Sequence, residues 1–259
     1  LWAKNITMSQ GHVLSTYTNH ITTITFYHPA QNSLPGYLLA ELADKISVAG
    51  ADPDTILIIL KSEGEKTFCA GASFTELASI EDFPTGKKFF MGFAGVINAI
   101  RKCPKIVIGR VHGKAVGGGV GLAAACDYCM ASKYASVRLS ELAVGIGPFV
   151  IGPAVERKVG LSAFSQMALN ATEWQTADWA KQKGLFTESF ESVQQLDAYI
   201  EHFTADLIKK SPEALMMLKK VFWEGTDHWD ELLEKRAEMS GQLILSDFAK
   251  NAISSFLSA

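Results

Sequence analysis

The chain has 259 residues, enough for one large domain or two small ones and for a full core without disulfide or metal staples. Lys plus Arg number 24 against 27 Asp plus Glu, a formal charge of −3 that removes the electrostatic case for a nucleic-acid or anionic-membrane partner. A hydrophobic fraction of 48 % argues against disorder, and no apolar run reaches the roughly 18 residues of a membrane span. Ala115–Cys126 and Leu142–Val155 are the most apolar stretches, and both are short and carry glycine. Four cysteines suit a reducing compartment rather than a disulfide frame. No signal pattern and no C-terminal Ser-Lys-Leu is visible, so the expected location is cytoplasmic. Leu1–Thr7 precede Met8 and read as an extension or expression scar; residues 1–12 are set outside the fold.

Val13–Thr18 and Ile21–Phe26 alternate around Asn19-His20 and predict a β-hairpin. The four-residue spacing of Leu38, Leu42 and Ile46 predicts a helix over Leu34–Val48. Thr55–Leu60 is a β-branched apolar run that suits a strand buried on both faces, followed by a polar loop, Lys61–Lys66. Phe89, Phe93, Ile97 and Ile100 line one face of a helix over Thr85–Arg101, ended by Cys103-Pro104. Ile106–Val111 is a second buried strand, then come a glycine-rich turn, a small-residue helix over Gly118–Cys126, and short strands at Tyr128–Ala131 and Ser136–Leu139. This alternation predicts an α/β fold. From Phe149 onward helical periodicity dominates: Trp174–Lys183, Ser192–Lys210, a helix starting at Ser211-Pro212 with Leu215, Leu218 and Phe222 on one face, Asp230–Leu243 and Asp247–Leu257. A boundary near residue 200 separates a core, 13–199, from a helical region, 200–259.

Five glycines fall within Gly113–Gly121. The spacing around Lys114 does not fit a P-loop. Gly119-Val120-Gly121-Leu122-Ala123-Ala124, with Glu141 about 20 residues on, fits a dinucleotide fingerprint in letters, yet its first glycine stands several residues beyond the strand. A third reading is a bare backbone wall: a helix starting at Gly118 offers free N–H groups and a positive dipole end to an oxyanion. On the glycines alone, close helix–strand packing without any ligand is the simpler account.

Three segments change that balance. Thr67–Phe74, reading TFCAGASF, resembles the first signature of the crotonase family, the enoyl-CoA hydratases and isomerases. Val111–Gly119 with Cys126-Asp127-Tyr128 resembles the second, and Leu139–Pro148 the third. Thr176–Leu185 and Ser211-Pro212 with Lys219 resemble later parts of the same family, so the likeness runs in order from about residue 13 to the end. The resemblance implies a ββα spiral core, a C-terminal helical trimerisation region, and assembly as a homotrimer or a dimer of trimers. It implies an acyl-CoA substrate with no separate cofactor, because coenzyme A is part of the substrate, and no metal. It assigns the oxyanion-binding amides to Ala72 and Gly118, the base to Glu141, and substrate contacts to Ala70, Phe74, Lys66 and Gly117. Lys66 and Lys219 match positions that could meet the nucleotide phosphates. The acyl pocket is expected between the helix Glu81–Ile100 and the C-terminal tail.

One departure is informative. Two-carboxylate hydratases of the family carry a Glu just after the triple glycine, where this chain has Gly121, while the second Glu is present as Glu141. One carboxylate suits a proton shuttle better than water addition. The resemblance with one Glu missing therefore implies 3-enoyl- to 2-enoyl-CoA isomerisation, with hydration or non-catalytic acyl-CoA binding as alternatives. Leu139, Leu142, Val144 and Ile146 give Glu141 an apolar setting that would raise its pKa. His112 and Lys114 are weaker candidates to stand in for the missing Glu. Cys126 and Cys129 read as buried small hydrophobes, Trp174 and Trp179 as core or interface, and Ser73 replaces the family's usual Asp.

Overall fold

A computed structural model describes residues 11–258; the reading of Leu1–Thr7 lies outside them. Strands β1 (His12–Thr18) and β2 (Ile21–Tyr27) form the expected hairpin, so His12 already belongs to the fold. Asn19 and His20 both take positive φ, +49° and +65°, as a two-residue turn matched to strand twist requires. Helix α1 (Gly36–Ala51) starts two residues later than Leu34, because the Leu34 N–H donates to the Gly71 carbonyl at 2.8 Å and Pro35 occupies the cap.

The chain then repeats one path. Strand β3 (Leu57–Ser62) enters one sheet, β4 (Thr67–Cys69) enters another, and helices α2 (Phe74–Ala78) and α3 (Phe83–Lys102) follow. Next come β5 (Ile106–Val111), β6 (Lys114–Val116) and α4 (Gly118–Ala125). After them come β7 (Tyr128–Ser132), β8 (Ser136–Arg138), a 3-10 turn over Glu141–Val144, and α5 (Gly152–Leu169). First strands assemble as β1-β2-β3-β5-β7 and second strands as β4-β6-β8, each parallel to its counterpart in the next repeat except the antiparallel β1–β2 hairpin. This is the ββα spiral the resemblance implies. Strand β3 runs on through Lys61 and Ser62, expected as loop, because its backbone keeps pairing with β5 as far as Lys61 opposite Arg110. Thr55 is spent elsewhere, its hydroxyl on Asp52 at 2.8 Å and on Thr22 at 2.7 Å.

Two short strands close the sheets, against the expectation that strands end near residue 149. β9 (Gln175–Thr176) pairs with β8, and α6 (Ala177–Gln182) therefore starts at Ala177 rather than Trp174, with the Thr176 hydroxyl accepting from the Trp179 N–H. β10 (Glu188–Phe190) adds to β7. Helices α7 (Val193–Leu207), α8 (Pro212–Phe222), α9 (Trp229–Leu243) and α10 (Asp247–Ser258) complete the chain. The change of character expected near residue 200 falls inside α7. No helix among the described residues is long and apolar enough to cross a membrane.

Both faces of the central strands of the six-stranded sheet are buried. Ile58, Leu60, Val107 and Val111 pack toward the main core with α1, α3 and α4. Leu57, Ile106, Ile108 and Met130 pack toward Leu196 and Ile200 of α7 and Leu215 of α8. Of the face expected on α8, only Leu215 is buried; Leu218 and Phe222 are exposed. Lys219 is the other inward residue. It is 2 % exposed, and its ammonium lies 2.7 and 2.9 Å from the two Asp127 oxygens. Asp127 also accepts from the Trp223 indole at 2.7 Å and from the Val107 amide at 2.8 Å. Lys219 is thus a buried latch that fixes α8 to the spiral, which corrects the reading of it as a nucleotide-phosphate contact.

Candidate active site

The second sheet ends where the glycines begin. After β6 the chain must turn sharply into α4, and Gly117 makes that turn at φ +51°, ψ −117°, a conformation closed to residues with a side chain. Its N–H donates to the Arg138 carbonyl at 2.8 Å, and its carbonyl accepts from the Val120 and Gly121 amides. The Gly118 amide is left free at the helix start. After β4, Gly71 at φ +86° brings Ala72 alongside: a Cβ built on Gly71 would lie 3.4 Å from the Gly118 nitrogen. Among the described residues neither the Ala72 nor the Gly118 amide donates to a protein acceptor. Two free donors therefore sit side by side, beside the positive end of α4.

Glu141 reaches the same place from the 3-10 turn that follows β8. Gly145 at φ +74° closes the turn, and the Ile146 N–H donates to the Glu141 carbonyl at 3.0 Å. A Cβ built on Gly117 would lie 2.8 Å from Glu141 Oε1, so the carboxyl packs against bare backbone at the head of α4. Part of the residue reaches solvent, but Oε2 is buried and has no hydrogen-bond partner. Burial pushes the carboxyl up to about 7 from an ordinary 4.5, partly opposed by the backbone N–H of the same residue. The apolar surroundings are Val144, Ile146, Pro148 and Ile151; Leu142, expected among them, is 45 % exposed because the turn carries it outward.

Ala70, Ala72, Phe74, Gly117, Gly118 and Glu141 line one cleft of about 570 Å³, part of it open to solvent. Phe90 and Phe93 of α3 and Ser240 of α9 form its far wall, as expected of a pocket between that helix and the tail. Lys66 is exposed and lines a separate outer depression with His28, Glu63 and Thr67. His112 does not line the cleft. It is 1 % exposed with both ring nitrogens unpartnered, and burial, helped by the Arg110 charge, lowers its pKa to about 4. Lys114 is exposed beside Trp174, which also stacks on Arg138. Ser73 caps α2 by accepting from the Glu76 N–H at 3.3 Å, a task Ser performs as well as Asp. Cys126 and Cys129 are buried free thiols against Gly109.

The remaining glycines of the cluster are packed. A Cβ on Gly118 would stand 2.1 Å from the Phe93 ring, one on Gly119 2.4 Å from the Cys69 carbonyl, and one on Gly121 2.4 Å from Ile151 Cγ2. Gly119 and Gly121 thus face filled space inside α4, which overturns the dinucleotide fingerprint. Packing accounts for Gly119 and Gly121, while Gly118 is packed against Phe93 and keeps its amide free of protein acceptors among the described residues. Gly121 also explains the missing carboxylate. Ile151, at the head of α5, fills the volume a side chain there would need.

Ser240, Phe90, Ile151 and Phe149 escape notice as site residues in the sequence. Each sits in an ordinary helical or apolar pattern, and only the α3–α9 crossing and the start of α5 bring them to the cleft.

The enoyl-CoA hydratase/isomerase family matches the sequence over residues 16–258. A peroxisomal Delta(3,5)-Delta(2,4)-dienoyl-CoA isomerase of Arabidopsis thaliana is 27 % identical over 97 % of this chain and 91 % of its own length. A probable enoyl-CoA hydratase of Bacillus subtilis is 26 % identical over 92 % of each. The crystal structure of an enoyl-CoA hydratase from Bacillus halodurans superposes with a TM-score of 0.86 at 22 % identity, covering 94 % of this chain and 99 % of that one, a shared fold.

Proposed function

The chain belongs to the enoyl-CoA hydratase/isomerase family, and from that premise we propose that it moves the double bond of a 3-enoyl-CoA thioester to the 2-position with Glu141 as its one base. Glu141 removes a proton from C2. The electron pair of that bond shifts into C1–C2 and the thioester oxygen takes the negative charge, giving a dienolate. The same carboxyl then returns the proton to C4 as the C2–C3 double bond forms. No water enters and no group leaves. The Ala72 and Gly118 amides hold the thioester oxygen, each donor worth roughly 3–4 kcal/mol in the transition state. A carboxyl poised near 7 is matched to both halves of the shuttle, since it must accept and then give up the same proton near neutrality.

The observation that carries this reading is the packing of Ile151 against Gly121. Among the described residues it leaves Glu141 as the only carboxylate lining the cleft. The deciding assay offers 3-hexenoyl-CoA and crotonyl-CoA and follows the double-bond shift and water addition separately. Isomerisation without hydration is the expected result. Rapid hydration of crotonyl-CoA would replace the proposal with a hydratase, and binding without turnover with an acyl-CoA binding protein. The homotrimer, or a dimer of trimers, is proposed with it: Met217, Leu218, Val221 and Phe222 expose an apolar outer face on α8 that a second copy would cover. A monomeric mass in solution at micromolar concentration would remove that part.

A further inference from the structure

Two cavities meet at Phe149. The catalytic cleft ends on Pro148 and Phe149, and a second cavity of about 530 Å³, partly open to solvent, begins on the same two residues. The second cavity is walled by Gly152 and Pro153 at the start of α5 and by Phe164 and Ala168 further along that helix. Glu156, which is exposed, and Arg236 of α9 mark its wet end. Phe149 is the partition. Its N–H closes a tight turn onto the Gly147 carbonyl at 2.7 Å, and its ring lies back on Gly147, so that a Cβ there would stand 2.3 Å from the ring. Gly147 thus supplies the flat backbone on which the ring rests, and Phe149 itself is only half-buried. A ring held on one side by backbone and touching solvent-accessible space on the other turns about its side-chain torsions at small cost.

We propose that Phe149 is a gate between a short-chain acyl compartment and a second acyl compartment. Turning the ring joins the two into a passage that takes the distal methylenes of a medium-length or long unbranched acyl chain and lets its end reach the surface near Glu156 and Arg236. This deepens the acyl-CoA reading and rests on it. The passage is apolar along Pro148, Phe164 and Ala168 and polar only at its mouth. It therefore rewards hydrocarbon length and tolerates chains longer than the cavity. Short chains end at the ring and gain nothing from the second compartment.

The test uses butanoyl-CoA and dodecanoyl-CoA, saturated thioesters that bind without needing the isomerisation chemistry, with affinities measured by calorimetry. Phe149→Ala is expected to raise the ratio of dodecanoyl to butanoyl affinity at least tenfold, a gain that burial of about two further methylenes accounts for. Phe149→Leu shifts the ratio in the same direction by less and guards against a folding failure of the alanine variant. Ala168→Phe, added to Phe149→Ala, fills the second compartment and removes the gain. An unchanged ratio in both single variants, with butanoyl-CoA still bound, overturns the gate while leaving the proposed function standing. Wild-type protein that binds neither thioester overturns the acyl-CoA reading, and the gate with it.

Discussion

Glu141→Gln separates what this carboxyl does for the reaction from what it costs the fold. The folded chain holds the Glu141 proton up to about pH 7, whereas an open chain releases it near 4.5. At about 1.4 kcal/mol for each tenfold change in proton affinity, that difference amounts to about 3 kcal/mol. The sign follows from which state binds the proton more tightly. Between pH 4.5 and 7 the folded chain does, so the wild type loses stability as pH rises through that window. Below it both states are protonated; above it a buried carboxylate, with Oε2 unpartnered, must be carried by the folded chain. Gln keeps the shape and removes the charge. Glu141→Gln is therefore expected to exceed the wild type by under about 1 kcal/mol at pH 5 and by up to about 3 kcal/mol at pH 8. It should also lose at least about 100-fold in isomerisation rate, the low end for a general base. Urea unfolding followed by tryptophan fluorescence at the two pH values, beside an assay with 3-hexenoyl-CoA, reads both effects. An equal stability difference at pH 5 and pH 8 would falsify the burial argument, whatever happens to the rate.

The pH dependence of kcat/KM should rise with a midpoint near 7 and level off above it, because the base must be ionised to act; a midpoint at 5 or below would mean that Glu141 is solvated. Gly117→Ala places a Cβ 2.8 Å from Glu141 Oε1 at a backbone conformation that costs about 1–3 kcal/mol for a side-chain-bearing residue, so kcat should fall at least tenfold in a folded protein. Wild-type kcat there would detach Gly117 from the site. Lys219→Met strands Asp127 among buried groups and is expected to cost about 3–5 kcal/mol, read by denaturation, with KM for acyl-CoA unchanged. A raised KM at unaltered stability would restore Lys219 as a phosphate contact. Gly121→Glu alone should destabilise the protein by overpacking against Ile151, by about 1–3 kcal/mol, without adding hydration; paired with Ile151→Ala it should gain measurable hydration of crotonyl-CoA.

The site was legible in the sequence wherever backbone geometry imposes residue type. The turn at Gly117 and the one at Gly145 each demand positive φ, and residues that can only be glycine show in any reading of the chain. Ala72, Gly118 and Glu141 came from the family resemblance carried by the segments around those turns, and the fold brings all three to one cleft. The long elements were legible for another reason: β5 and the helix over Phe83–Lys102 repeat their apolar pattern for many residues. The short strands β4, β6, β9 and β10 were not, since two or three residues carry no period and their pairing is decided by distant partners. Lys219 shows the same limit from the other side. A lysine on an amphipathic helix reads as exposed, and only the fold reveals that Asp127, 92 residues away, waits beneath it. Likewise Ile151 looks like one more apolar residue until Gly121 is seen against it.

On the proposed isomerisation, the pairing of Gly121 with Ile151 ties packing to the choice of reaction. Hydration needs a water molecule held against the substrate by groups that can orient it, and a second carboxylate near Glu141 would supply that hold. Two carboxylates in one apolar cleft would also repel, forcing one to stay protonated at neutral pH. A branched hydrocarbon in that place offers no acceptor to order water and no second charge to repel Glu141, whose raised pKa then comes from burial. Under the proposed shuttle, each favours a proton that leaves and returns within the substrate over a water that must enter, and the packing at the head of α5 and the proton chemistry at Glu141 then depend on the same side chain.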